Sequence, residues 1–173
     1  MTREANSIVE TRDDVRPDVH YCTLEDSRTV KNEVLECAEE RYSHVKSTFT
    51  KMLKEADFEG AVKAHLQSFA EGRLPRASDS NPRAGSFEPV VTQPDLWEIK
   101  YPKSLGLYRS YHAEVRDPSI MVVVLRFHEK QVDNLTSAQV EKSQNDEMAL
   151  AQERYKTYEQ CQWGHCHNCR FCI

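Results

Sequence analysis

Four residues of this chain combine the right types and setting for chemistry: Arg109, Arg126, His128 and Lys130. The last three stand in VVVLRFHEKQ, over Val122 to Gln131, where an apolar strand-like run turns abruptly polar. Histidine can exchange a proton near neutral pH. Arginine offers a planar, permanently charged fork that fits a phosphate or carboxylate. Such an edge is either ordinary surface or the rim of a site that moves protons beside a bound anion. Arg109 shares its side of a strand with Leu107, Tyr111 and Ala113, an odd setting for a merely solvated charge. Lys100, by contrast, falls on the polar side of its strand, where solvation is the plainer reading.

The C-terminus holds a second set of chemically capable residues. In CQWGHCHNCRFCI, Cys161, Cys166, Cys169 and Cys172 are interleaved with His165 and His167. Two C-x-x-C steps share Cys169, and thiolates so spaced can close on one ion. A soft sulfur and nitrogen set favours zinc, with Cys161, His165, Cys166, Cys169 and Cys172 as the candidate ligands. The alternative is a reduced tail that holds no metal. Six cysteines without an apolar leader do not suggest a disulfide scaffold. Cys22 and Cys37 read as ordinary buried thiols.

These residues must be positioned by a framework, and the periodicity outlines one. Residues 1–20 are polar and without period, which predicts a disordered or loosely docked arm. Val30, Val34, Ala38, Tyr42, Val45, Phe49, Met52 and Ala56 recur at helical spacing, which predicts a helix over 28–56. After a break at Asp57, Phe58, Ala61, Val62, His65, Leu66 and Phe69 predict a second helix ending at Gly72. Residues 73–94, with four prolines, read as a long loop. The period then becomes two. LWEIKY, GLYRSYHAEV and SIMVVVLRF predict a three-stranded antiparallel meander over 96–127. The third strand is apolar on both faces, so it should be central or covered on both sides. Thr136-x-x-Gln139 resembles a capping box, opening a helix over 137–158. The fold class is therefore α+β: an N-terminal helical hairpin, an antiparallel meander of at least three strands, and a C-terminal helix. The expected organisation is an arm at 1–20, one domain at 21–160 and a Cys/His-rich tail at 161–173.

The formal charge of −5, from 23 Lys/Arg and 28 Asp/Glu, argues against a globally basic nucleic-acid-binding face. The strand-rich residues 96–132 run the other way, with six Lys/Arg against four Asp/Glu. No apolar run is long enough for a membrane span, and residues 1–14 have no apolar core of a signal peptide. A cytoplasmic protein with no membrane partner is the expectation.

Two helices, then LWEIKY, GLYRSY, an apolar strand ending in F-x-x-K, and a helix carrying ALAQERYKTY together resemble the RelE/ParE superfamily of toxins, in particular its phage-derived, HigB-like branch. The resemblance covers about residues 28–160. It implies a RelE-like fold and a toxin of a type II toxin–antitoxin system: an endoribonuclease that cleaves messenger RNA, on the ribosome in many members, and inhibits translation. A cognate antitoxin protein would be its partner. Catalysis of this kind requires no cofactor. A 2′-hydroxyl attacks the adjacent phosphorus while side chains exchange the protons and hold the charge. Arg109, Arg126, His128 and Lys130 would be catalytic. Lys100, Lys103, Tyr108, Tyr111 and His112 would hold RNA through phosphate contact and base stacking. Leu125 stands where the branch often has a histidine, and Glu129 where a lysine is common. Those differences and the acidic balance support a second reading, a non-catalytic interaction protein on the toxin fold. A third is a ParE-like inhibitor of DNA gyrase.

Overall fold

The computed structural model describes residues 7, 17–21, 29–77, 85–116, 120–161 and 163. Among them are β1 (Asp18–Tyr21), α1 (Val30–Arg41), α2 (Thr48–Ala70), β2 (Ser86–Pro89), β3 (Trp97–Lys100), β4 (Tyr108–Val115), β5 (Met121–Glu129) and α3 (Ser137–Gln160). The strands form one sheet in the order β1-β5-β4-β3-β2. The expected meander is present as β3, β4 and β5, with antiparallel pairing throughout. As its apolar run requires, β5 is interior to the sheet, flanked by β4 and by β1.

Two strands come from segments that gave no strand signal. Residues 18–21, at the end of the expected arm, pair in parallel with Met121 to Val124. Residues 86–89 lie in the expected loop and form the far edge of the sheet against β3. Pro89 is tolerated because β2 is an edge strand and the proline is its last residue. Gly85, just before β2, has φ +77°, and a Cβ there would meet the Lys100 carbonyl oxygen at 2.5 Å. Only glycine lets the chain turn into the sheet at this point.

The helical hairpin also differs in its boundary. The chain breaks at 42–47, not at Asp57, and α2 runs unbroken through Asp57. Ser47 ends the break as an N-cap whose hydroxyl accepts from the Thr50 N–H at 3.4 Å. Val45, Phe49, Met52 and Ala56 kept the apolar rhythm going across this turn, but none of them is buried. The stop at Gly72 is as expected. Gly72 has φ +67°, its N–H bonds the Phe69 carbonyl, and the Arg73 N–H reaches back to Ser68. Thr136 and Gln139 form the reciprocal capping box that opens α3.

Side-chain alternation sorts the sheet into two faces. One buries Phe87, Tyr108, His112 and Phe127 against Phe58 and Phe69 of α2. Tyr108 and Phe127 stack at 5.4 Å between centroids, with Tyr101 and Phe58 edge-on to Phe127. The other face carries Glu98, Lys100, Arg109, Tyr111, Arg126 and His128, and α3 lies across part of it.

Candidate functional site

Strand register brings the candidates of the second face into two adjacent rows. Lys100 is opposite Arg109, and Arg109 is opposite His128. In the next row Glu98 is opposite Tyr111, and Tyr111 is opposite Arg126. Cross-strand neighbours stand roughly 5 Å apart, so these six side chains share a patch about one dinucleotide wide. The register shift between Tyr111 and His112 falls just past these rows and leaves them regular.

Each cation in the rows already has a carboxylate. Lys100 pairs with Glu88 and lies 3.7 Å from Glu98. Arg109 places Nε 3.4 Å from the same Glu98 carboxylate and donates through Nη1 to the Tyr108 carbonyl at 2.9 Å. Burial pushes the Glu98 carboxyl above its usual range, against the opposing pull of Arg109 and Lys100. Arg126 donates Nε to Glu147 of α3 at 2.5 Å and Nη1 to Glu33 of α1.

Glu33 shows why Arg126 is held there. β1 covers only Met121 to Val124, so among the described residues the edge of β5 beyond Val124 has no strand partner. The Phe127 N–H donates to Glu33 at 2.9 Å, and the Leu125 carbonyl accepts from Arg154 at 2.6 Å. Arg154 also pairs with Glu33 at 2.7 Å. Two side chains thus satisfy backbone groups that a longer β1 would have taken, and bind α1 and α3 to the sheet.

His128 is only 6% exposed and stacks on Tyr111, with ring centroids 5.6 Å apart. Its Nδ1 lies 3.3 Å from the Glu129 carbonyl, and Nε2 is buried without a protein partner. Burial lowers its pKa to about 4, with Arg126 and Arg109 adding to the effect and Glu147 opposing it. At neutral pH it is a neutral imidazole. Burial also raises the Tyr111 hydroxyl.

The remaining candidates are placed differently. Tyr108 and His112 are wholly buried on the α2 face, so no base can stack on either without opening the core. His112 packs on Phe69 at 4.5 Å instead. Strict alternation separates both from Tyr111, a distinction that a list of aromatic residues does not make. Lys103 is exposed at the turn between β3 and β4. Lys130 is half-buried just past β5, where its N–H bonds the Leu107 carbonyl at 2.7 Å.

A cleft of about 490 Å³ opens beside the rows, between the β2 edge and α3. Pro89, Val90, Val91 and Met148, with Tyr111 at its floor, line its apolar side, and Glu88, Glu98 and Glu141 supply its charge. The carboxylates Glu33, Glu88, Glu98 and Glu147 were not anticipated as site residues. Glu98 could have been, since LWEIK places it on the same side as Lys100; Glu33 lies far away in sequence and gives no local signal.

Among the described residues, no group of three or more His, Cys, Asp or Glu is arranged to hold a metal. His165, Cys166, Cys169 and Cys172 lie outside the described residues. Cys161, the first of the candidate metal ligands, follows α3 as its C-cap, is buried, and is disulfide-bonded. No helix among the described residues is long and apolar enough to cross a membrane. No protein-family model and no curated protein matches the chain.

Proposed function

We propose that the protein is a RelE/HigB-like toxin that cleaves messenger RNA without a metal, and that the two rows on the α3 face of the sheet are its active site. The observation that carries this reading is the Lys100–Arg109–His128 row beside Tyr111 and Arg126. It gathers two or more phosphate-binding cations, a proton acceptor and a ring on one face of three adjacent strands.

The chemistry follows from these groups. Neutral His128 takes the proton of a ribose 2′-hydroxyl as that oxygen bonds to phosphorus. The bond from phosphorus to the 5′-oxygen breaks, and Lys130 protonates the departing oxygen. The products are a 2′,3′-cyclic phosphate and a 5′-hydroxyl. Arg109 and Arg126 hold the charge that accumulates on the non-bridging oxygens. Tyr111 is buried and stacked on His128, so it meets a base only when the adjoining cleft opens over its ring. In this scheme the RNA phosphate replaces Glu98 on Arg109, which the raised pKa of that buried carboxyl assists.

A second reading, a non-catalytic interaction protein that keeps the toxin fold, is favoured by one specific observation. Lys100, Arg109 and Arg126 are each ion-paired, and His128 is buried with a depressed pKa. Induced expression in a bacterial host, with transcript ends mapped, separates the two. New internal ends that disappear in Arg109→Ala support the enzyme. Growth and transcripts indistinguishable from an empty vector support the interaction protein.

A further inference from the structure

The side of α3 that faces the sheet changes character along its length. Ala151 is fully buried there, and Arg154 reaches the β5 edge. Earlier on the same side stand Met148, Asn145, Gln144 and Glu141, spaced by three and four positions, and all four line the cleft beside the two rows. A helix side packed on a sheet is ordinarily apolar; this one turns polar where it overhangs a cavity. Glu141, Gln144 and Asn145 have no hydrogen bond or ion pair among the described residues. Tyr111, at the floor, is only 1% exposed, and its hydroxyl is likewise without a partner among them. Glu88 and Glu98 are held by Lys100 and Arg109. Glu141 is therefore the one carboxylate lining the cleft, among the described residues, that no cation holds. Thr92 Oγ1 approaches Met148 Sδ to 4.0 Å, joining the two walls.

We propose that this cleft is a base-recognition subsite for RNA and that it selects guanine, an inference that rests on the cleavage reading above. Its carboxylates turn phosphate away, so a base enters it and the backbone stays outside. Tyr111 follows Arg109 on the same side of β4, about 7 Å along the strand. A base at the Tyr111 floor therefore leaves its phosphate beside Arg109 and His128. The cleft, about 490 Å³, has room for one nucleobase. Val90 and Met148 give it apolar walls for a flat ring, and Tyr111 can stack on that ring once the cleft opens. The polar set decides which base. The pairing edge of guanine presents two adjacent N–H donors beside a carbonyl oxygen. One carboxylate accepts from both donors together, which is the part Glu141 can play. The side-chain amide of Gln144 or Asn145 donates to the carbonyl. Adenine, cytosine and uracil each present a single donor group on that edge, so none of them satisfies the same set.

The test reads binding apart from cleavage. The full chain is titrated at fixed salt with fluorophore-labelled 2′-fluoro RNAs, which lack the attacking hydroxyl. All are short, uridine-based and identical except for one central base: guanine, hypoxanthine or adenine. Guanine should bind about tenfold or more tightly than adenine, as a bidentate contact discriminates. Hypoxanthine, which lacks the N2 amino group, should fall between them. Glu141→Gln, at an exposed position outside the rows, should bring guanine down to the adenine level and leave adenine unchanged. Equal affinity for all three bases, or a guanine preference that survives Glu141→Gln, overturns the inference and leaves the cleavage reading standing. RNAs that do not bind at all overturn both. A tetra-arginine peptide that binds the wild type and not Glu141→Gln, with no guanine preference among the RNAs, also overturns it and gives the cleft to a basic protein partner.

Discussion

Removing the Glu33 carboxylate should destabilise the fold more than any other single change at the surface of α1. Its two oxygens receive Arg126, Arg154 and the Phe127 N–H, and the residue is only 4% exposed. In Glu33→Ala the Phe127 N–H loses its partner, a cost of about 1–3 kcal/mol for a buried donor. Arg154 keeps the Leu125 carbonyl and Arg126 keeps Glu147, so neither guanidinium is stranded completely. Breaking a buried ion pair from one side costs about 3–5 kcal/mol, and these contributions overlap because they share one carboxylate. A total of about 3–5 kcal/mol is therefore expected, out of the 5–15 kcal/mol typical of whole domains. Glu33→Gln, which keeps an acceptor oxygen, should cost less. Urea unfolding reads the loss directly, and the thermal midpoint should fall by roughly 6–20 °C. A double-mutant cycle of Glu33→Ala with Arg154→Met should show coupling. A cost below about 1 kcal/mol would place the network among exposed ion pairs and refute its role in closing the β5 edge.

Other outcomes follow from the same contacts. His128 has a folded-state pKa near 4, below its ordinary 6.5, so the unfolded chain takes up the proton first as pH falls. Its contribution is intact above 6.5, is lost progressively between 6.5 and about 4, and amounts to about 3 kcal/mol when fully lost; ring resonances still neutral at pH 5.5 would agree, and a midpoint near 6.5 would not. His65 and His112 shift the same way through burial, so His128→Phe should reduce the acid sensitivity of folding without abolishing it. Gly85→Ala, at φ +77° with a Cβ driven into the Lys100 carbonyl, should cost at least about 1–3 kcal/mol by denaturant titration. Phe127→Ala, which removes the ring touching Phe58, Tyr101 and Tyr108, should cost about 3–5 kcal/mol in the same assay.

The meander and α3 were legible because their signals are local: strict alternation in LWEIK and YRSYHAEV, and a capping box at Thr136. β1 and β2 were not: each has only four residues, β1 gains its identity from pairing with the distant β5, and β2 ends in a proline inside a proline-rich stretch that reads as loop. The helical break was misplaced for a different reason. The apolar rhythm of Val45, Phe49, Met52 and Ala56 reads as core, although the structure leaves Phe49 and Met52 in solvent. At the candidate site, the spacing of Arg109, Arg126 and His128 was enough to place them on one face once the strands were recognised. Alternation could also have separated Tyr108 and His112 from Tyr111. Alternation in LWEIK also put Glu98 within reach, but Glu33 was not, since it meets Arg126 across 93 positions of sequence.

The central claim is that the Lys100–Arg109–His128 row supports RNA cleavage, and one measurement addresses it most directly. Purified protein should be added to a translating extract with a defined messenger, and new 5′-hydroxyl ends counted for wild type, Arg109→Ala and His128→Ala, each first shown to be folded. The account predicts internal cleavage by the wild type, a loss on the order of 10²-fold or more in Arg109→Ala, and a comparable loss in His128→Ala. Cleavage absent from the wild type, or undiminished in both variants, would contradict it.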